Sequence, residues 1–223
     1  MSLEIPPPKA LVFDWDDTVT DNWWRVYQSM NKTLRSLGEA EWTREEALAR
    51  LGPSARDLFP AVFGVERAEQ AADLYYGFID ELRSESPGLF PGAAEALRAL
   101  SETPLYLAVL SNKRGEALRR EVALLGLEDC FSCIIGAGDA REDKPGRAAL
   151  EMALGGAQHL APAPEIWFVG DSYIDMQCAH FNGCTAVLVE TKPPPPEMLA
   201  ETPPHLRFQG CGDLSAYVLE RFF

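Results

Sequence analysis

Short runs of uninterrupted apolar residues recur along this chain, and stretches of helical periodicity separate them. The runs fall at 10–13, 105–110, 133–135, 166–169 and 185–189. Thr185 apart, each is apolar at successive positions rather than at every second one, so both faces of the strand it forms must be covered. The stretches that follow carry apolar residues one turn apart, as Leu118, Val122 and Leu125 do within 115–125, and further helices are expected over 147–154 and 174–181. Continuous strands alternating with amphipathic helices define the α/β class: a doubly wound, mostly parallel, Rossmann-like sheet.

One interval breaks the alternation. From about residue 20 to residue 88 the periodicity is helical and no strand is evident. Trp24, Tyr27, Met30 and Leu34 share a face, Ala47, Leu48 and Leu51 follow, and then comes the segment 74–82. Three or four helices inserted after the first strand predict a helical subdomain over 20–87, with a core domain made of 1–19 and 88–223. Hinges are expected near 18–21 and at Ser86-Pro87-Gly88. Pro91-Gly92 then opens a helix over 93–100. The prolines of 192–196 and 203–204 predict a stiff surface loop between strands, because proline fixes φ and removes a donor.

Charge narrows the partners. Asp and Glu number 34 against 20 Lys and Arg, for a net charge of -14. Nucleic-acid binding depends on cations that neutralise phosphates, so most of this surface repels it. An acidic pocket that holds a metal ion remains compatible with such a balance. The longest apolar run, 105–110, is far short of the roughly 20 residues that cross a bilayer. The segment 1–8 has neither the basic stretch nor the apolar core of a secretory signal, so a cytoplasmic protein without a membrane partner is expected. The 5 cysteines show no framework spacing and read as reduced thiols. Cys130 and Cys133 form a CxxC, but no second ligand pair follows, so packing rather than zinc is expected. His159, His180 and His205 read as structural.

The strand ends carry the chemistry. The run 10–13 stops at Asp14-Trp15-Asp16-Asp17-Thr18. In an open α/β sheet, ligands sit beyond the carboxyl ends of the strands. Asp17 and Thr18 can serve as a turn and helix cap, but an ionised Asp14 at the end of an apolar strand is costly unless something neutralises it. A divalent cation would do so. The run 105–110 leads into Ser111-Asn112-Lys113, whose small polar groups suit an anion's oxygens. Lys144-Pro145 supplies a point charge just before a helix, where proline suits the first position. The run 166–169 leads into Gly170-Asp171-Ser172, with Asp175 one helical turn beyond Asp171.

These clusters, in this order, resemble the motifs of the haloacid dehalogenase superfamily of phosphohydrolases. Asp14-x-Asp16-x-Thr18 corresponds to the first motif, Ser111 to the second, Lys144 to the third, and Gly170-Asp171-Ser172-x-x-Asp175 to the fourth. The helical insert after the first motif resembles the family's C1 cap, as in phosphoglycolate phosphatase and β-phosphoglucomutase relatives. The resemblance implies hydrolysis of a small-molecule phosphate ester: Asp14 attacks phosphorus to form an aspartyl-phosphate, and Asp16 is the general acid and then base. It implies Mg²⁺ held by Asp14, the backbone carbonyl of Asp16 and Asp171, with Asp175 a ligand through water or a support. Ser111, the Asn112 backbone and Lys144 would hold the phosphoryl oxygens, and Thr18 would orient the loop. Asp17 stands where the family usually has glycine; Asp is among the residues that tolerate positive φ.

Asp16 favours phosphoryl transfer over dehalogenation, since the dehalogenase branch lacks it. A phosphonate-cleaving enzyme requires a cap lysine, and Lys32 alone lies between Asp21 and Gly88. Substrate choice is expected from the cap. Arg56, in the break 51–56 between two cap helices, and Trp23, at the start of the first, are the candidate substrate-binding residues. Two other readings stay open at this point: a phosphosugar mutase of the β-phosphoglucomutase type, and a non-hydrolytic module that receives phosphate on Asp.

Overall fold

Successive side chains of β1 (Ala10–Phe13) point to opposite faces of a sheet. Leu11 and Phe13 enter one apolar cluster, Ala10 and Val12 another, and all are fully buried. A strand buried on both sides needs helices on both sides, which is the layering that continuous apolar runs predict. In this computed structural model, which describes residues 5–82, 88–155, 157, 159–192 and 194–223, β1 lies in the middle of six parallel strands.

The chain leaves β1 into β2 (Thr20–Asp21), then α1 (Trp23–Ser36), α2 (Arg44–Arg50), α3 (Ala55–Phe63) and α4 (Val65–Glu81). It returns through β3 (Gly88–Leu89), α5 (Ala93–Ser101), β4 (Tyr106–Arg114), α6 (Gly115–Leu124), β5 (Cys133–Ala137) and α7 (Arg147–Leu154). It ends with β6 (Ile166–Gly170), α8 (Tyr173–Phe181), β7 (Thr185–Val189), β8 (Leu206–Phe208) and α9 (Cys211–Phe222). The sheet order is β5-β4-β1-β6-β7-β8, and every pairing in it is parallel. Connections leave β1 and its neighbours in opposite directions, so the crevice of the sheet opens at the carboxyl end of β1. Leu97 and Leu100 of α5, Leu118 and Val122 of α6, and Leu214 and Val218 of α9 cover one face. Leu150 and Leu154 of α7 and Met176 of α8 cover the other.

Helices α1 to α4 have an apolar cluster of their own, built on Met30, Leu34, Trp42, Ala47, Phe59 and Phe63. Two short strands join them to the sheet: β2 pairs antiparallel with β3, Thr20 opposite Leu89 and Asp21 opposite Gly88. Ser86 and Pro87 of the expected second hinge lie outside the described residues. On α1, Trp24 is 65% exposed, contrary to the expected face. The buried stripe runs instead through Trp23, Tyr27, Met30 and Leu34, with Trp23 stacked on Tyr27 at 4.8 Å.

Several boundaries move for physical reasons. β4 continues past Leu110 to Arg114, because the pairing with β5 shifts register between Leu110 and Arg114, and Ser111-Asn112-Lys113 occupy that irregularity. Pro145 is not a first helical residue; α7 starts at Arg147, and the Lys144–Pro145 peptide is cis. The proline-rich segment joins β7 to β8; Pro193 lies outside the described residues. The cysteines are free thiols, with Cys130 buried in one apolar cluster and Cys133 packed against the other. His180 Nε2 lies 2.7 Å from the Pro203 carbonyl, and His205 Nδ1 accepts the Ala186 N–H. Among the described residues no helix is long and apolar enough to cross a membrane.

Candidate active site

The end of β1 stays tied to the sheet for one residue more, as the Asp14 N–H donates to the Val169 carbonyl at 2.8 Å. The chain then turns through Asp17, the one non-glycine residue with positive φ among the described residues, at 63°. Its carboxylate accepts the N–H groups of Asn22 and Trp23, at 3.2 and 2.9 Å, and so satisfies open donors at the start of α1. It also pairs with Lys192 at 3.0 Å. Burial is the main force pushing the Asp17 carboxyl up to about 6, against Lys192. The Thr18 hydroxyl donates to Asp171 at 3.1 Å.

Three buried carboxylates meet where β1 and β6 end. One oxygen from each of Asp14, Asp171 and Asp175 lies within 4.8 Å of the others. Lys144 Nζ reaches into the cluster, 2.5 Å from Asp14 and 2.7 Å from Asp175. The second Asp175 oxygen accepts the Ser172 N–H and hydroxyl, so this side chain is fixed from both ends and aims the lysine. Burial pushes the Asp14 carboxyl up to about 7; Lys144 pulls it down and Asp175 adds to the rise. Burial and the neighbouring Asp17, Asp175 and Asp14 hold Asp171 well above the usual carboxylate range. For Lys144, burial works against the charge, but Asp14 and Asp175 outweigh it and keep the ammonium above its ordinary value. One ammonium against three carboxylates leaves negative charge to be neutralised. The hard oxygen donors and their convergence suit a divalent cation such as Mg²⁺.

Asp16 points elsewhere. Its carboxylate accepts from Lys113 Nζ at 2.8 Å and from Asn22 Nδ2 at 2.5 Å. Burial alone would raise it; Lys113, with Asn22 and Arg25, outweighs that and holds it below the ordinary value. Behind these groups lies Glu121, buried on α6. It receives Trp15 Nε1 at 3.0 Å, Asn22 Nδ2 at 3.0 Å, Lys113 Nζ at 2.7 Å and Arg25 at 3.3 Å. Sequence reading misses Glu121, Asn22, Arg25 and Lys192. The available signal for Glu121 is a carboxylate beside Val122 on the face that Leu118 and Val122 bury.

Ser111, Asn112, Lys144 and Trp23 line one cavity of about 200 Å³ with Asp14, Asp16 and Asp171. The Asn112 side chain serves as a tie: Nδ2 donates to the carbonyl of Gly52, in the loop between α2 and α3, at 2.8 Å, and Oδ1 accepts the Lys144 N–H at 3.0 Å. Arg56 is not among the lining residues. Its guanidinium turns to the buried Asp143 at 2.9 Å and so seats α3 on the core.

Fold and site together define an α/β enzyme that works at the carboxyl ends of its strands. The sequence pattern of the haloacid dehalogenase-like hydrolases matches residues 11–189, and the chain belongs to that family. Pyrophosphatase PpaX of Listeria innocua serovar 6a is 27% identical over 210 residues, which cover 94% of this chain and 95% of that protein. The phosphoglycolate phosphatase of Rhodobacter capsulatus is 28% identical over 185 residues, 80% of this chain and 83% of its own. A predicted phosphoglycolate phosphatase from Haemophilus somnus 129PT shares the fold with a TM-score of 0.77, at 22% identity and over 96% of this chain and 99% of its own.

Proposed function

We propose that this chain is a phosphatase that hydrolyses a small-molecule phosphate monoester through an aspartyl-phosphate on Asp14, with residues 20–87 acting as the cap over the site. The observation that carries the reading is Lys144 Nζ held between Asp14 and Asp175 at the floor of the cavity. An Asp14 oxygen attacks phosphorus, and the bond from phosphorus to the ester oxygen breaks. Asp16 gives a proton to that oxygen as it leaves, acting from the minor protonated form that the Lys113 contact leaves in the free protein. Asp16 then takes a proton from water, which attacks the aspartyl-phosphate, releases inorganic phosphate and restores the Asp14 carboxylate. The Ser111 hydroxyl and Lys144 bind the phosphoryl oxygens, where charge stabilisation contributes most. Thr18 holds Asp171 in place.

Asp14, the backbone carbonyl of Asp16 and Asp171 are the residues that would hold Mg²⁺, with Asp175 supporting from behind Lys144. When bound, the ion supplies positive charge that lets an anionic carboxylate approach an anionic phosphoryl group. The relatives named above act, by their names, on a pyrophosphate and on a phosphate ester. Both reactions cleave a phosphorus–oxygen bond and differ in the leaving group, which supports the class of reaction. A mutase must hold a second phosphate under the cap. Among the described residues, Arg25 is the charged residue that the cap helices contribute to the cavity lining, and Glu121 already pairs with it. A receiver of phosphate on Asp has no use for four helices over its acceptor.

The test is release of inorganic phosphate from p-nitrophenyl phosphate with Mg²⁺ and with EDTA, beside Asp14→Asn. Turnover that needs Mg²⁺ and drops at least about 1,000-fold in the variant is expected, because the nucleophile is lost. Turnover that survives Asp14→Asn sinks the reading.

A further inference from the structure

The polar floor of the cavity accounts for a phosphoryl group; the roof is of a different chemistry. Val26 of α1, Leu48 of α2, Leu58 of α3, and Tyr75, Tyr76 and Ile79 of α4 face the same space as Asp14 and Ser111. The aromatic rings are held by one another, Tyr75 edge-on to Phe59 at 5.4 Å and to Tyr76 at 5.4 Å. They therefore present a fixed apolar surface rather than a mobile one. The cavity's cations are meanwhile committed. Lys144 lies between Asp14 and Asp175, Lys113 between Asp16 and Glu121, and Lys192 between Asp17 and Asp21. Arg25 is bound by Glu121 and Asn22. Among the described residues, the lining cation without a carboxylate partner is Arg114, which is exposed and lies over the Tyr76 ring at 5.2 Å.

We infer that the leaving group of the substrate is an apolar alcohol, an alkyl or aryl body of about one ring in size with no second anionic group; the inference rests on the phosphatase reading above. A carboxylate or second phosphate placed under this roof gives up its hydration without an uncommitted cation from the described cap helices. The Trp23 N–H and the Tyr75 and Tyr76 hydroxyls can each donate a hydrogen bond but bring no charge, and an apolar body gains from the same burial. The size follows from the volume. About 200 Å³ exceeds the roughly 150 Å³ of an apolar cavity that accepts one benzene ring, which leaves room for the phosphoryl oxygens at the floor. The same roof separates this chain from enzymes whose substrates carry a negative charge at both ends, as phosphoglycolate and pyrophosphate do.

The test compares ethyl, butyl, hexyl and 3-phenylpropyl phosphates, whose alcohols differ little in basicity, so that chemistry is constant and burial varies. With Mg²⁺ present, kcat/KM is expected to rise about threefold per methylene up to the six-carbon chain and then level as the cavity fills. Phosphoglycolate and pyrophosphate are expected to fall at least about tenfold below hexyl phosphate. Ile79→Lys, at a half-buried position, should reverse that preference toward phosphoglycolate. A flat alkyl series overturns the inference. So does phosphoglycolate as the better substrate, with the advantage lost in Arg114→Met, which would make Arg114 the reader of a second anion. Binding separates the two readings. If p-nitrophenyl phosphate is not hydrolysed, the phosphatase reading fails, and calorimetry with methyl-, butyl- and hexylphosphonate still decides the roof. Affinity that climbs with chain length supports an apolar occupant; equal affinities overturn it.

Discussion

Glu121 receives more side chains at this site than any carboxylate of the catalytic loop, yet it stands behind the reacting groups. Its effect reaches Asp16 through Lys113, and that chain of contacts can be read from pH. Lys113 is the foremost group holding the Asp16 carboxyl below its ordinary value against burial. Lys113→Met removes that charge, so the Asp16 pKa rises, and the limb of kcat/KM set by Asp16 ionisation should move up by about one to two pH units. Glu121→Gln, which keeps the lysine, should move it far less. An unmoved limb in Lys113→Met would show that Asp16 is not the group seen in the profile. Asp17 offers a second residue test. Ala there meets the strain of φ 63° and loses the α1 and Lys192 contacts, whereas Gly loses only the contacts. Asp17→Ala should unfold more easily than Asp17→Gly by about 1 kcal/mol in denaturant titration. Equal losses would place the whole effect in the side chain. The tolerance of positive φ at Asp17 is legible in the sequence because it is local. Glu121 is not, because Trp15 lies 106 residues from it and Asn22 lies 99.

At the level of elements, the apolar runs locate the core strands because each is buried on both faces and carries no polar interruption. The short β2, β3 and β8 escape notice: two or three residues give no period to detect. Trp24 misleads for the opposite reason, since a tryptophan beside Trp23 fits a helical face by type while the stripe of Trp23, Tyr27, Met30 and Leu34 decides which one is buried. Arg56 falls inside the first turn of α3 rather than in the expected break, because the helix already begins at Ala55, and its partner Asp143 cannot be seen from spacing. The irregular end of β4 is also invisible beforehand, and it depends on close backbone contact. A Cβ built on Gly136 of β5 would lie 2.4 Å from the Gly115 Cα and 2.6 Å from the Lys113 carbonyl oxygen. Backbone cannot yield as a flexible side chain can. Gly136→Ala should therefore push β5 from the Lys113–Gly115 turn, lower stability by about 2 kcal/mol or more, and reduce kcat through Lys113. Gly210→Ala, where nothing lies within 4 Å of the added atom, is the control without a steric clash and should cost less, no more than the roughly 1 kcal/mol of placing alanine at the N-cap of α9. Comparable melting points for the two variants would contradict the close packing described here.

For the molecule as a whole, the carboxylate cluster couples folding to pH and to metal. Asp14 and Asp17 are pushed up to about 7 and about 6 by burial, and Asp171 is also raised. A carboxyl whose folded pKa exceeds its unfolded one binds its proton more tightly when folded. Its stabilising contribution is complete below the unfolded value near 3.8 and is lost as pH rises through the folded value. Metal-free protein should thus lose stability as pH rises from about 4 to about 7, between the unfolded value and the folded ones. Asp16 and Asp139 are lowered instead, so they act below that window. His205, held down by burial and by His180, has the opposite sign but is partly exposed and contributes little. A divalent cation binds the ionised cluster and stabilises the folded chain by RT ln(1 + [L]/Kd), so its benefit must grow as the protons leave. Melting curves in EDTA should fall by several degrees from pH 5.5 to pH 8, while curves with Mg²⁺ should fall less, and the gap between them should be widest at pH 8. In Asp171→Asn the EDTA curve should become less steep and the gap should shrink together, because this carboxylate contributes to both. A Mg²⁺ gap that is the same at both pH values would separate the ion from these carboxylates and place it elsewhere on a surface of net charge -14.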